Sequence, residues 1–138
     1  MSKPAFPYPV PVVRGIITDR EGRILLLRRV NSTHGDGQWS LPGGKIDYLS
    51  SPEESMLREA KEETGLGLSD LRFLFFQDSR PLAPGGMHCL NLYFHGHAEG
   101  EVVLNGENCE FTWIRPEDAD VYAPAFGGGA AITSWRRN

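Results

Sequence analysis

The sequence predicts a mixed β-sheet covered by helices, in an α/β or α+β sandwich. Three observations lead there. Short β-branched, apolar segments recur along the chain and are separated by turn residues. One segment carries a full set of helix start and stop signals. The chain has 138 residues, 40% of them hydrophobic and 23% charged, which suits one domain with one sizeable core.

Residues 1–9 hold three prolines and read as an extended lead-in. Val10 to Thr18 is apolar and β-branched around Arg14-Gly15, a strand pattern. Asp19-Arg20-Glu21-Gly22 reads as a turn, with Gly22 able to take positive φ. Arg23 to Arg29 contains Ile24-Leu25-Leu26-Leu27 and completes a hairpin. Asn31 to Gly37 is polar and reads as a loop, and Trp39 to Leu41 as a short strand before a Gly43-Gly44 turn. Ser51 is a natural N-cap, Pro52 fits the first helical position, and Glu54 completes a capping box. The helix should run to Thr64, with Gly65 as its stop. Leu71 to Gln77 and Cys89 to His97 read as strands on either side of a Pro81 to Gly86 loop. Val102 to Leu104 and Glu110 to Ile114 are shorter strand patterns. Ala130 to Trp135 reads as a C-terminal helix.

Composition excludes several classes. Net charge is −4, against the basic excess of a dedicated nucleic-acid binder. Gly and Pro are numerous, 16 and 10, yet lack the collagen period. No apolar run approaches the ~20 residues of a membrane span. The N-terminal segment lacks an apolar signal core, so a cytoplasmic location is expected. Cys89 and Cys109 form no metal or disulfide pattern and read as two free thiols.

The chemistry concentrates at Arg58-Glu59-Ala60-Lys61-Glu62-Glu63. On a helix, Glu59, Glu62 and Glu63 stand at i, i+3 and i+4 and share one face. Met56, Leu57, Ala60 and Thr64 fall on another arc that can face the core. Three like charges in one turn repel, and they sit toward the helix end where the dipole disfavours negative charge. A hard divalent cation with oxygen ligands reverses that penalty. Without one, the same residues are a solvated acidic face balanced by Arg58 and Lys61. Leu41-Pro42-Gly43-Gly44-Lys45 just upstream favours the site reading, because a Gly-Gly turn lets a backbone carbonyl approach a ligand.

From Gly44 to Leu66 these residues resemble the signature of the Nudix hydrolase family, G-x5-E-x7-R-E-U-x-E-E-x-G-U with U aliphatic. Gly44, Arg58, Glu59, Glu62, Glu63, Gly65 and Leu66 fall in register without insertion or deletion. The Leu41-Pro42-Gly43-Gly44 lead-in and the Leu26-Leu27-Arg28-Arg29 strand extend the likeness upstream. Two positions depart from the pattern. Ser50 stands at the first glutamate and Ala60 at the first aliphatic position, while Asp47 lies three residues before Ser50.

The resemblance implies an α/β/α sandwich around a mixed sheet, over residues 1–138, and hydrolysis of a nucleoside diphosphate linked to another moiety. It implies that Glu59, Glu62 and Glu63 hold Mg²⁺ or Mn²⁺, with the Gly43 carbonyl completing the set. Arg58 orients the carboxylates. Arg29 is placed to contact phosphate, and Gly44 and Lys45 belong to the same metal and phosphate site. The general base is Glu59, or on a later loop Glu107 or Glu110, Glu110 also being placed to contact substrate. His34, His88, His95 and His97 read as ordinary histidines, since hard-metal chemistry does not call for them. Trp39, Phe75, Phe76 and Tyr93 read as core.

For substrate, Asn105 to Trp113 with Pro116-Glu117-Asp118 resembles the nucleoside-triphosphate pyrophosphatases of the family. Pro81, 15 residues after Leu66, sits at the offset of its ADP-ribose members. The expected partner is a small nucleotide, with no long nucleic acid and no membrane, and the family often forms homodimers. A non-catalytic nucleotide-binding module is the reading from another class, but such modules commonly lose the helical glutamates that this chain keeps.

Overall fold

The computed structural model describes residues 7–29, 37–81, 83–106 and 108–137, of residue 109 the backbone only. The expected loop over 31–37 therefore lies almost wholly outside it, as do His34 and Glu107. The strands are β1 (Val10–Thr18), β2 (Ile24–Arg29), β3 (Trp39–Ser40) and β4 (Gly43–Lys45), then β5 (Gly67–Ser79), β6 (Cys89–Glu99) and β7 (Asn108–Ile114). The helices are α1 (Pro52–Thr64), α2 (Ala119–Tyr122) and α3 (Gly128–Arg136).

These strands form one sheet in the order β3-β2-β1-β6-β5, with β4 also on β1 and β7 also on β2. β1 and β6 run parallel through nine paired positions, and the other pairings are antiparallel, so the sheet is mixed as expected. Val13, Ile17, Leu25, Leu27 and Phe94 face α1, where Met56 and Ala60 cover them. Ile16, Ile24, Leu26, Tyr93 and Ile114 face the other way, onto Ala119, Ala131 and Ile132 of α2 and α3. Helices on both faces explain why β1 and β2 read as unbroken apolar runs rather than alternating ones.

Local chemistry accounts for the punctuation. In the β1–β2 turn Gly22 takes φ +78°, and the Asp19 carboxylate accepts the backbone N–H groups of Glu21 and Arg23, each at 2.9 Å. At α1 the Ser51 hydroxyl accepts from Glu54 N–H at 3.0 Å and the Glu54 carboxylate accepts from Ser51 N–H at 2.9 Å. Gly65 ends the helix at φ +75°.

Four expectations are corrected. The Gly43-Gly44 turn is strand, bonded to β1 at Val13 and Arg14. Val102 to Leu104 is not strand: Val103 N–H caps the end of α1 through Thr64 carbonyl at 2.8 Å, while Val102 and Leu104 pack on the α1-side core. Leu57 is 43% exposed because it lies beyond the arc of Met56 and Ala60. Phe76 is 68% exposed, since β5 bulges between Phe73 and Phe75 and turns it away from the core that Phe75 and Tyr93 share. Among the described residues no helix is long and apolar enough to cross a membrane.

Candidate active site

β1 pairs with β2 only at Thr18–Ile24, and β4 takes over the same region of β1 at Val12 to Arg14. A cavity of about 480 Å³ lies where these strands diverge. Glu59, Glu62 and Glu63 line it together, with Gly43, Gly44 and Lys45 beside them, and Arg29 and Asp47 also reach it. Glu110, by contrast, is not part of that lining; its carboxylate meets Arg28 at 3.1 Å on the surface.

Each carboxylate has its own fixing contact. Glu63, 8% exposed, accepts the Gly43 N–H at 2.9 Å and so ties α1 to β4. Glu59 lies over Gly44 so closely that a Cβ there would stand 2.6 Å from its carboxyl carbon. The Arg58 guanidinium sits 3.3 Å from Asp47, 3.6 Å from Glu59 and 3.8 Å from Glu62, a hub among three acidic side chains. Asp47 thus reaches the cluster although Ser50 replaces the signature glutamate; Ser50 N–H bonds back to Asp47 carbonyl at 3.0 Å.

Burial, and after it the neighbouring Glu62 charge, push the Glu59 carboxyl above its ordinary value, with Arg58 opposing them. A carboxylate that is costly to ionise beside other acidic groups is one whose ionised form a cation would stabilise. The donor set is all oxygen, which suits a hard divalent ion rather than a soft one. Among the described residues, however, no three acidic, His or Cys side chains converge as a ready-made metal cage. The donor types are those that a hard divalent ion takes.

Among the described residues, no histidine lines this cavity. His95 and His97 both meet the Thr18 hydroxyl, at 2.9 and 3.4 Å, and His95 lies against Trp135. Cys89 is a buried free thiol. A more open cleft of about 790 Å³ at the far end of β1 is lined by Asp19, Glu21, Arg23 and Trp113 among others, and its Arg23 is already paired with Asp19 and Glu21.

Sequence reasoning did not place five further residues that line the carboxylate cavity: Val12, Arg14, Met87, Asn105 and Phe126. Arg14 carries the signal that could have found it, a charge inside an apolar strand. Phe126 carries none, because its position depends on the turn before α3.

A NUDIX domain profile matches residues 9–135 of the chain. A crystal structure of a MutT protein from Methanosarcina mazei Go1 superposes with a TM-score of 0.79 at 26% identity, covering 100% of this chain and 99% of that one. An 8-oxo-dGTP diphosphatase of Proteus vulgaris is 32% identical over 63 residues, 46% of this chain and 56% of that protein. An RNA pyrophosphohydrolase of Photorhabdus laumondii is 42% identical over 64 residues, 46% of this chain and 34% of that protein. The chain thus spans about half of the first relative and a third of the second. With fold, motif register and profile in agreement, the chain belongs to the NUDIX family.

Proposed function

We propose that the chain hydrolyses a pyrophosphate bond in a nucleoside diphosphate linked to a further group, with a nucleoside triphosphate giving nucleoside monophosphate and pyrophosphate as the favoured case. The observation that carries this reading is the gathering of Glu59, Glu62 and Glu63 with the Gly43-Gly44 backbone, Arg29 and Lys45 around one cavity.

Nudix hydrolases generally depend on divalent metal ions, and Glu59, Glu62, Glu63 and the Gly43 carbonyl are the oxygen donors that would hold Mg²⁺ or Mn²⁺ here. Such an ion neutralises phosphate oxygens and makes a bound water more acidic. The chain supplies the rest. Glu59, whose carboxyl is already biased toward taking a proton, is the base that removes one from the attacking water. Arg58 holds Glu59 and Glu62 in mutual orientation. Arg29 and Lys45 supply positive charge to the substrate's phosphates. Gly44 keeps the space beside Glu59 clear, since any side chain there would displace the carboxylate.

Pro81 supports a second reading, an ADP-ribose pyrophosphatase, through the family offset it occupies. A panel of nucleoside triphosphates, ADP-ribose and 5′-triphosphorylated RNA with Mg²⁺ or Mn²⁺ separates these cases. Pyrophosphate released from a free triphosphate supports the proposal. AMP and ribose 5-phosphate from ADP-ribose favours the second reading, and turnover confined to RNA overturns both. Tight nucleotide binding with no turnover in either metal would make the chain a binding module.

A further inference from the structure

Arg14 presents an unusual combination. Its strand partners Val13 and Gly15 face α1, so Arg14 projects from the opposite face of the sheet, with Ile16. It is largely buried, yet among the described residues no carboxylate pairs with it. Its one hydrogen bond runs from Nε to Asn91 Oδ1 at 3.1 Å. Asn91 is fully buried and is itself held, donating from Nδ2 to Gln77 carbonyl at 3.2 Å. The Phe126 ring covers the guanidinium, 4.4 Å from Cζ. Phe126 adopts φ +59°, a left-handed backbone that a bulky side chain rarely takes, and its carbonyl accepts from Tyr93 hydroxyl at 3.3 Å. Asn91 and Phe126 thus fix one edge and one face of the guanidinium. The two terminal amino groups make no hydrogen bond among the described residues, and the side chain lines the cavity.

A largely buried cation with no carboxylate in contact among the described residues, Glu63 acting on it only at longer range, is costly unless a ligand completes it. The neighbouring wall indicates which ligand. Val12, Met87 and Phe126 line the cavity with Arg14, as do Arg29, Lys45 and the carboxylates, and the Phe126 ring lies directly on the guanidinium. An aromatic face beside a directional donor fork suits a heterocyclic ring. A guanidinium fork matches two acceptors on one ring edge, the O6/N7 edge of guanine above all. We propose that Arg14 is a specificity-determining residue that reads the acceptor edge of a guanine-type base, on the sheet face opposite the catalytic carboxylates. This rests on the pyrophosphohydrolase reading of the same cavity.

The test compares wild type, Arg14→Lys and Arg14→Gln. Lysine keeps the charge but loses the fork. The readouts are kcat/KM for GTP, ATP and UTP, and calorimetric binding of GMP, AMP and inorganic triphosphate. Wild type should prefer guanine by about tenfold or more, the size of one good bidentate contact. Both variants should bring the GTP-to-ATP ratio within about threefold of one, and both should weaken GMP binding. Absence of a guanine preference in wild type overturns the inference. So does an Arg14→Lys variant that keeps the preference, or an Arg14→Gln variant that weakens inorganic triphosphate as much as GMP, which marks a phosphate contact. Thermal melts separate a structural role: Arg14→Lys should stay folded with its preference gone. Should no nucleotide be hydrolysed, the proposed function fails while GMP binding still decides the role of Arg14.

Discussion

Glu63 accepts the backbone N–H of Gly43 at 2.9 Å, joining the helical part of the signature to the lead-in strand 20 residues before it. The bond gives the carboxylate an architectural part, while the side chain also lines the cavity. A glutamine retains the first function, since its carbonyl oxygen accepts the same N–H, but it lacks the charge.

Glu63→Gln should therefore keep the fold and lose the reaction. Turnover should fall by roughly 100- to 10,000-fold, with a melting temperature close to wild type. Glu63→Ala strands the Gly43 N–H as well and should cost about 1–2 kcal/mol of stability. Steady-state kinetics and thermal melts on both variants check this; an unchanged rate in Glu63→Gln would remove Glu63 from the site.

The two glycines of β4 should respond oppositely. A Cβ on Gly43 would lie 2.0 Å from the Val13 carbonyl oxygen, a backbone atom that cannot swing aside. Gly43→Ala should cost about 3 kcal/mol or more. The atoms nearest a Cβ on Gly44 are the carboxylate end of the Glu59 side chain, which can swing aside. Gly44→Ala should fold nearly as well as wild type and lose activity through the displaced carboxylate. Denaturant titrations paired with activity distinguish the two.

Glu59 gives a metal-linked prediction. Its carboxyl is pushed up by burial and then by Glu62, so the folded protein binds its proton more tightly than the unfolded chain does. Stability of the metal-free protein thus falls as pH rises from the ordinary carboxylate value of 4.5 through the raised one. Glu59→Gln should raise the melting temperature of the metal-free protein at neutral pH and reduce the stabilisation that added Mg²⁺ or Mn²⁺ confers on wild type. A solvated acidic face would show the first effect without the second.

His95 governs the acid side. Burial, then His97 and Arg72, hold its imidazole below the ordinary 6.5, so it stays neutral in the folded state while the unfolded chain takes up a proton. Its contribution is complete above pH 6.5 and is lost as pH falls below that value toward the lowered one. Replacing His95 by Gln should flatten the stability profile over that interval in pH-resolved melts.

Much of this was legible in the residues. β1 matched its expected bounds, and α1 followed its caps to the residue, because a capping box and a left-handed glycine are local devices. The common face of Glu59, Glu62 and Glu63 followed from helical spacing, and the cavity gathers all three. What escaped was non-local. Gly43-Gly44 is strand because β1 offers it an edge. Val102 to Leu104 serves α1 rather than a sheet because Val103 meets Thr64. α2, with four residues, is too short to show a period. Phe126 reaches Arg14 across more than a hundred positions, a distance no pattern of spacing records.

Strands β1 and β4 and helix α1 contribute to one cavity, and under the proposed function this has an evolutionary consequence. Residues bearing on bond cleavage descend from α1 and β4; those around Arg14 descend from alternate positions of β1 and β6 and from the turn before α3. Substitutions in the second set need not disturb the first. A lineage built on this scaffold can exchange one substrate for another by mutating strand positions and a single turn, with its reaction machinery inherited intact.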